Sequence, residues 1–147
     1  ANRRNTTVRV ETNDLEVNFS VERPKIKNSD EFLAKAVFTN RSEAVMRLNA
    51  LFLDFAPILL KIRRADGTFV NLTSPPFPPE DDGMVGRIEL DPGRSSEYWY
   101  RGVDTFGDPL ANGVYQVRFR YEAPESRSRD WFGNIETGWI EFEVINK

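Results

Sequence analysis

The sequence contains no cysteine and no histidine. Their absence removes thiolate chemistry, disulfides, imidazole bases and the commonest zinc and copper ligands together. It does not fix the compartment, because a chain of 147 residues buries enough apolar surface to fold without staples even in an oxidising space. A positive charge excess is lacking too: 20 Lys and Arg stand against 23 Asp and Glu, for a net charge of -3. No basic field exists to collect nucleic acid or an anionic membrane, so neither is expected as a partner. No apolar run approaches the length of a membrane span, and residues 1–5 are polar and basic without an apolar signal region. The expectation is a soluble chain without membrane insertion, compatible with the mature part of a longer precursor. Finally, there is no nucleophile motif and no phosphate-cradling glycine loop, and nothing singles out a carboxylate pair among the 23 acids. An enzyme is not expected, nor a cofactor.

What is present suits strands. Eleven Phe, three Trp and four Tyr tilt the apolar set toward residues that pack on a pleated, half-buried surface. Leu15, Val17, Phe19 and Val21 alternate with Glu16, Asn18, Ser20 and Glu22, which predicts a half-buried strand. Residues 6–11 before it read as an edge strand or ordered arm, within a leading segment 1–14. Pro24 breaks the run, and Phe32, Ala34, Ala36 and Phe38 resume it until the polar turn at Thr39 to Ser42. Residues 45–55 are denser in apolar groups and read as strand plus irregular connection. Asp66-Gly67 predicts a tight hairpin between residues 58–64 and 69–72. The run of prolines from Pro75 to Pro79 lacks ladder donors and reads as an extended loop ending in acids. Strands are also expected at residues 87–90 and 96–101 around Asp91-Pro92-Gly93. The clearest alternation is Tyr115, Val117, Phe119 and Tyr121 against Gln116, Arg118 and Arg120. A last strand carries Ile140, Phe142 and Val144 inward, after a polar connection at residues 123–134. Strands at fairly even spacing, without helical patterns or repeats, predict one all-β domain over residues 1–147, a sandwich of two antiparallel sheets with about seven to nine strands.

Three segments carry a resemblance: Ala36 to Val45, the Leu90-Asp91-Pro92-Gly93-Arg94-Ser95 corner, and Asn112-Gly113-Val114-Tyr115-Gln116-Val117-Arg118-Phe119. They resemble signatures of immunoglobulin-like domains in secreted and cell-envelope proteins. Their order and spacing also resemble the β-rich N-terminal region of deuterolysin and peptidyl-Lys metalloendopeptidase proteins, over residues 15–147. The resemblance implies an immunoglobulin-like sandwich in an extracytoplasmic setting, with an accessory role. It implies no peptidase activity, because the zinc-binding His-Glu-x-x-His helix of those enzymes has no counterpart here.

Strand parity directs Trp139 and Trp99 to outer faces, the latter with Glu97 and Arg101. If the last two strands pair antiparallel, Arg118 and Arg120 lie near Trp139 for cation–π contact. Trp, Arg and the loop aromatics Trp131, Phe132 and Phe77 make the candidate binding set for a protein or glycan. The competing reading has the indoles covered by a neighbouring loop or by Arg stems. Asp81 and Asp82, or Asp104 and Asp108, are oxygen donors considered for Ca²⁺, against a reading as solvated turn acids. Asn-x-Ser/Thr sequons stand at Asn5, Asn18, Asn40 and Asn71. The expected function is a non-catalytic binding or accessory domain using the outer face and loops of the final strands. The alternatives are a protease inhibitor or propeptide-like domain that inserts the proline-rich and Trp131 loops into a cleft, and a structural spacer or assembly module.

Overall fold

The computed structural model describes residues 6–49, 59–73, 87–123, 125 and 130–146. β1 (Thr7–Thr12) and β2 (Leu15–Val21) form a hairpin in register from Thr7↔Ser20 to Thr12↔Leu15. Its two-residue turn, Asn13-Asp14, has φ of 48° and 65°. Asn and Asp visit this left-handed region more readily than other side chains, and the resulting twist matches that of the strands. Pro24 ends this run and hands the chain to the other layer, where β3 (Lys25–Ile26) forms. A 3-10 turn at Ser29–Glu31 returns the chain to the first layer as β4 (Leu33–Asn40). β4 pairs with β2 and with β8 (Ser95–Arg101), completing an antiparallel sheet in the order β1-β2-β4-β8.

The second sheet is organised around β9 (Gly113–Ala123). β6 (Leu60–Arg64) lies along it in register Leu60↔Phe119, and β11 (Ile140–Val144) in register Ile140↔Val117. β10 (Gly133–Glu136) continues the line of β11 and pairs with β9 at Glu136↔Arg120. Three residues, 137–139, therefore face two on β9, which is a bulge. The Thr137 hydroxyl takes the place of a backbone acceptor there, receiving the Phe119 N–H at 2.9 Å. β3 adds to β11 in parallel, a departure from the two wholly antiparallel sheets expected. Two residues after a proline are too few to display any alternation. β5 (Met46–Asn49) and β7 (Arg87–Leu90) form a separate antiparallel ribbon.

The core lies between the sheets. Phe19 and Phe38 of the first sheet meet Phe119 of the second, with ring centroids 5.5 and 5.8 Å apart, and Phe32 meets Phe142 at 5.2 Å. All five rings are fully or almost fully buried, each worth about 1.5–3 kcal/mol by transfer from water. Tyr115, stacked on Phe142 at 5.4 Å, turns its hydroxyl back to donate to Ala111 O at 2.6 Å. The fold is thus an all-β sandwich, as the alternation predicts. Eleven strands are present among the described residues, more than the expected number, the additions including β3 and β10, while the ribbon falls where strands are expected, within residues 45–55 and at 87–90. The hairpin turn at Asp66-Gly67 forms, but residues 69–72 return only as isolated bridges, Arg63↔Phe69 and Leu72↔Phe106. Among the described residues no helix is long and apolar enough to cross a membrane.

Candidate functional site

Trp139 sits in the bulge between β10 and β11, half-buried on the outer face of the second sheet. The Arg118 guanidinium lies 5.0 Å from the indole centroid, as the antiparallel pairing predicts, but that of Arg63 is closer, at 3.9 Å. Arg63 Nε also donates to Gln116 Oε1 at 2.7 Å, and Arg118 Nη1 donates to Glu136 Oε1 at 2.6 Å. Arg120 does not join the indole; its guanidinium reaches Glu122 at 2.9 Å and Asn134 at 3.3 Å. The Arg63 contact is invisible in the sequence, because it depends on β6 pairing with β9 across more than fifty residues. Two arginine side chains thus pack against the half-buried Trp139 indole on the sheet.

Trp131 corrects its sequence expectation more sharply. It is buried, stacked on Tyr121 at 5.5 Å, and its Nε1–H donates to the carbonyls of Asn13 (3.1 Å) and Thr12 (3.3 Å). Its own N–H donates to Arg47 O at 2.8 Å. The indole therefore ties the first hairpin and the ribbon to β9 and is not presented to a partner. An inhibitor that projects the Trp131 loop loses that element. Phe132 next to it is 45% exposed, with its carbonyl held by Asn13 Nδ2 at 2.9 Å. Phe77, the proline run, Asp81 and Asp82 lie outside the described residues.

Trp99 is the indole that stays open. It is 44% exposed on the outer face of β8, with the cross-strand Lys35 ammonium 5.0 Å from its ring centroid. Its neighbours Tyr98 and Tyr100 turn inward, so Trp99 and Arg101 share the solvent side. Beyond Arg101 the chain makes a helical turn, Gly102–Thr105, that packs on the 3-10 turn. A Cβ on Gly102 would lie 1.8 Å from Ser29 O, so only glycine permits this approach. The Gly102 N–H donates to Phe32 O at 2.8 Å and locks the two turns together. Between them and Trp99 lies an open cleft of about 430 Å³ lined by Arg23, Asp30, Leu33, Trp99, Arg101 and Val103, together with Glu31 and Phe32. Val103 is 62% exposed at its rim. Arg23 is steadied by a 3.3 Å bond to Glu31 O, and Glu31 by accepting the Lys27 N–H at 2.7 Å. Outward parity of Trp99 and Arg101 is readable in the sequence; Val103, Arg23 and Asp30 join them only through the contact between the two turns.

Trp99 and Trp139 project from opposite outer faces, because their sheets meet through the inner aromatic layer. They do not form one surface, so a single Trp-bearing face of the final strands is not what the fold provides. On the Trp99 sheet, farther along, Glu16 is buried beneath Arg9 and Arg41, the latter at 2.7 Å. Burial pushes the Glu16 carboxyl up, but hydrogen bonds and charge from Arg41 and Arg9 outweigh it and hold the group below its ordinary value.

Of the sequons, Asn40 is fully buried: Nδ2 donates to Leu90 O and Ala44 O, both at 2.8 Å, and Oδ1 accepts from the Ser42 N–H and hydroxyl. Asn18 is half-buried inside the first sheet, Asn71 is exposed, and Asn5 lies outside the described residues. Asp104 and Asp108 are both exposed. Among the described residues no group of three or more metal-ligating side chains is placed to hold an ion. No protein-family model and no curated protein matches the chain.

Proposed function

We propose that the chain is a non-catalytic, immunoglobulin-like binding domain of an extracytoplasmic protein, and that it recognises its partner through the Trp99 cleft. The observation that carries this reading is an indole left 44% exposed beside a cleft built by two interlocked turns. Phe69 and Phe132 are as exposed as Trp99, but Trp99 is the exposed aromatic that lines this cleft together with arginines, and Trp and Arg are the residues most enriched where binding energy concentrates. The immunoglobulin-like part draws support from strand order. β2-β4-β8 in one sheet and β6-β9-β11 in the other follow the A-B-E and C-F-G arrangement of that fold, and the Tyr115 hydroxyl bond to Ala111 O resembles its tyrosine corner. An accessory role beside a catalytic partner, as the deuterolysin resemblance implies, belongs to the same proposal.

Acrylamide quenching of the folded domain tests it. One indole should quench readily, and Trp99→Phe should abolish that component while leaving the shielded emission of Trp131. A wild-type protein with no quenchable indole would refute a Trp99 recognition surface.

A further inference from the structure

Resting on the Trp99 reading, we propose that the ligand of the cleft is a neutral sugar ring of a glycan. The charges lining it balance, Arg23 and Arg101 against Asp30 and Glu31, and the Lys35 ammonium beside the Trp99 ring is answered by Glu22 at 4.0 Å. An anionic ligand would meet the two carboxylates and a cationic one the two guanidinia, so neither gains a net field. A neutral ligand that needs donors and acceptors together gains from both. Among the described residues, the Arg101 guanidinium and the Asp30 carboxylate make no hydrogen bond or ion pair, so their polar capacity is turned outward.

An aliphatic peptide anchor fits less well. Seating it would strip water from exposed charged groups without replacing their hydrogen bonds, a loss that buried polar groups cannot absorb cheaply. Sugar hydroxyls replace those waters, with guanidinium N–H groups donating and carboxylates accepting. The Trp99 indole supplies a flat apolar surface for the C–H face of the ring, and Leu33 and Val103 extend that surface at the rim. A volume of about 430 Å³ falls in the range of small-ligand sites and accommodates roughly one or two pyranose rings.

The test is titration of the ¹⁵N-labelled protein with neutral oligomers of glucose, mannose, xylose and N-acetylglucosamine, reading the three indole N–H signals. Trp99→Phe assigns its own signal, and the Trp131 and Trp139 signals report the fold. One oligomer series should move the Trp99 signal and leave the other two in place. Trp99→Ala and Arg101→Ala should each weaken that binding by at least about tenfold, read in both variants from the backbone amide signals that the same oligomer moves in the wild-type protein, with the fold signals unchanged. If no neutral oligomer shifts Trp99 at about 10 mM, below any useful affinity, while a peptide panel does, the sugar assignment is wrong and the cleft reading survives. If nothing shifts Trp99, or binding persists undiminished in Trp99→Ala, both are wrong.

Discussion

Replacing Asn40 by alanine tests how this sandwich closes its corner. The side chain is fully buried and makes four hydrogen bonds, to Leu90 O, Ala44 O, and the Ser42 N–H and hydroxyl. Its backbone adds two more, donating to Arg94 O at 3.0 Å and accepting from the Gly93 N–H at 2.8 Å, and these survive the substitution. Ser42 Oγ already reaches Ala44 O at 2.9 Å, and both residues lie near solvent, so that end of the network is repaired by water. Leu90 is buried, so water does not replace the donor its carbonyl loses. An orphaned buried carbonyl costs about 1–3 kcal/mol, and loosening the turn adds about 1, giving roughly 2–4 kcal/mol in all. For a chain of this length that is about 5–15 °C in Tm. Asn40→Asp should cost more than alanine at neutral pH, because it sets a carboxylate oxygen against two carbonyls, and it should recover partly as acid protonates it. Urea unfolding followed by far-UV circular dichroism and tryptophan fluorescence measures both. A loss under about 0.5 kcal/mol for alanine, or an aspartate variant more stable than the alanine one at pH 7, would refute the network as the source of stability.

Three further perturbations follow from the same geometry. The folded pKa of Glu16 is lowered, so its stabilisation is fully present above the ordinary carboxyl value and is lost as pH falls through the lowered one; Glu16→Gln should flatten that acid limb in a pH series of denaturation midpoints. Gly102→Ala forces a Cβ to within 1.8 Å of Ser29 O, a backbone clash that no rotamer relieves, and should cost about 3 kcal/mol or more while broadening the Trp99 indole signal. Arg63→Ala should lose about 1 kcal/mol and move Trp139 emission to the red, whereas Arg118→Ala, from the farther cation, should do so less.

The elements that alternate were legible because burial on one face imposes period two. Leu15 to Val21 and Tyr115 to Tyr121 are the examples, and the direction of Trp99 and Trp139 follows from the same rule. What parity does not contain is pairing. Arg63 reaching Trp139, Trp131 turning inward to find the Asn13 carbonyl, and β3 adding in parallel to β11 all depend on contacts between segments distant in sequence. The bulge at residues 137–139 hid β10 for a related reason: it shifts the register by one, so the alternation of Ile140, Phe142 and Val144 does not extend back through Ile135. Asn40 reads as one of four similar sequons, and only its burial sets it apart from exposed Asn71.

The same distinction decides which tryptophan stays exposed. Both outward indoles have cations nearby, but the surroundings differ in kind. Trp139 stands on the sheet whose central strand, β9, is flanked on both edges, so two arginines from β6 and β9 converge on its ring and cover it. Trp99 stands on β8, which among the described residues pairs only with β4, so one flexible lysine approaches it from one side. A guanidinium stacked at 3.9 Å is a planar, preorganised cover; an ammonium at 5.0 Å on a long stem is readily displaced. Position at the margin of the sheet, more than residue type, leaves Trp99 exposed, and the two interlocked turns beyond Arg101 give it a cleft to face.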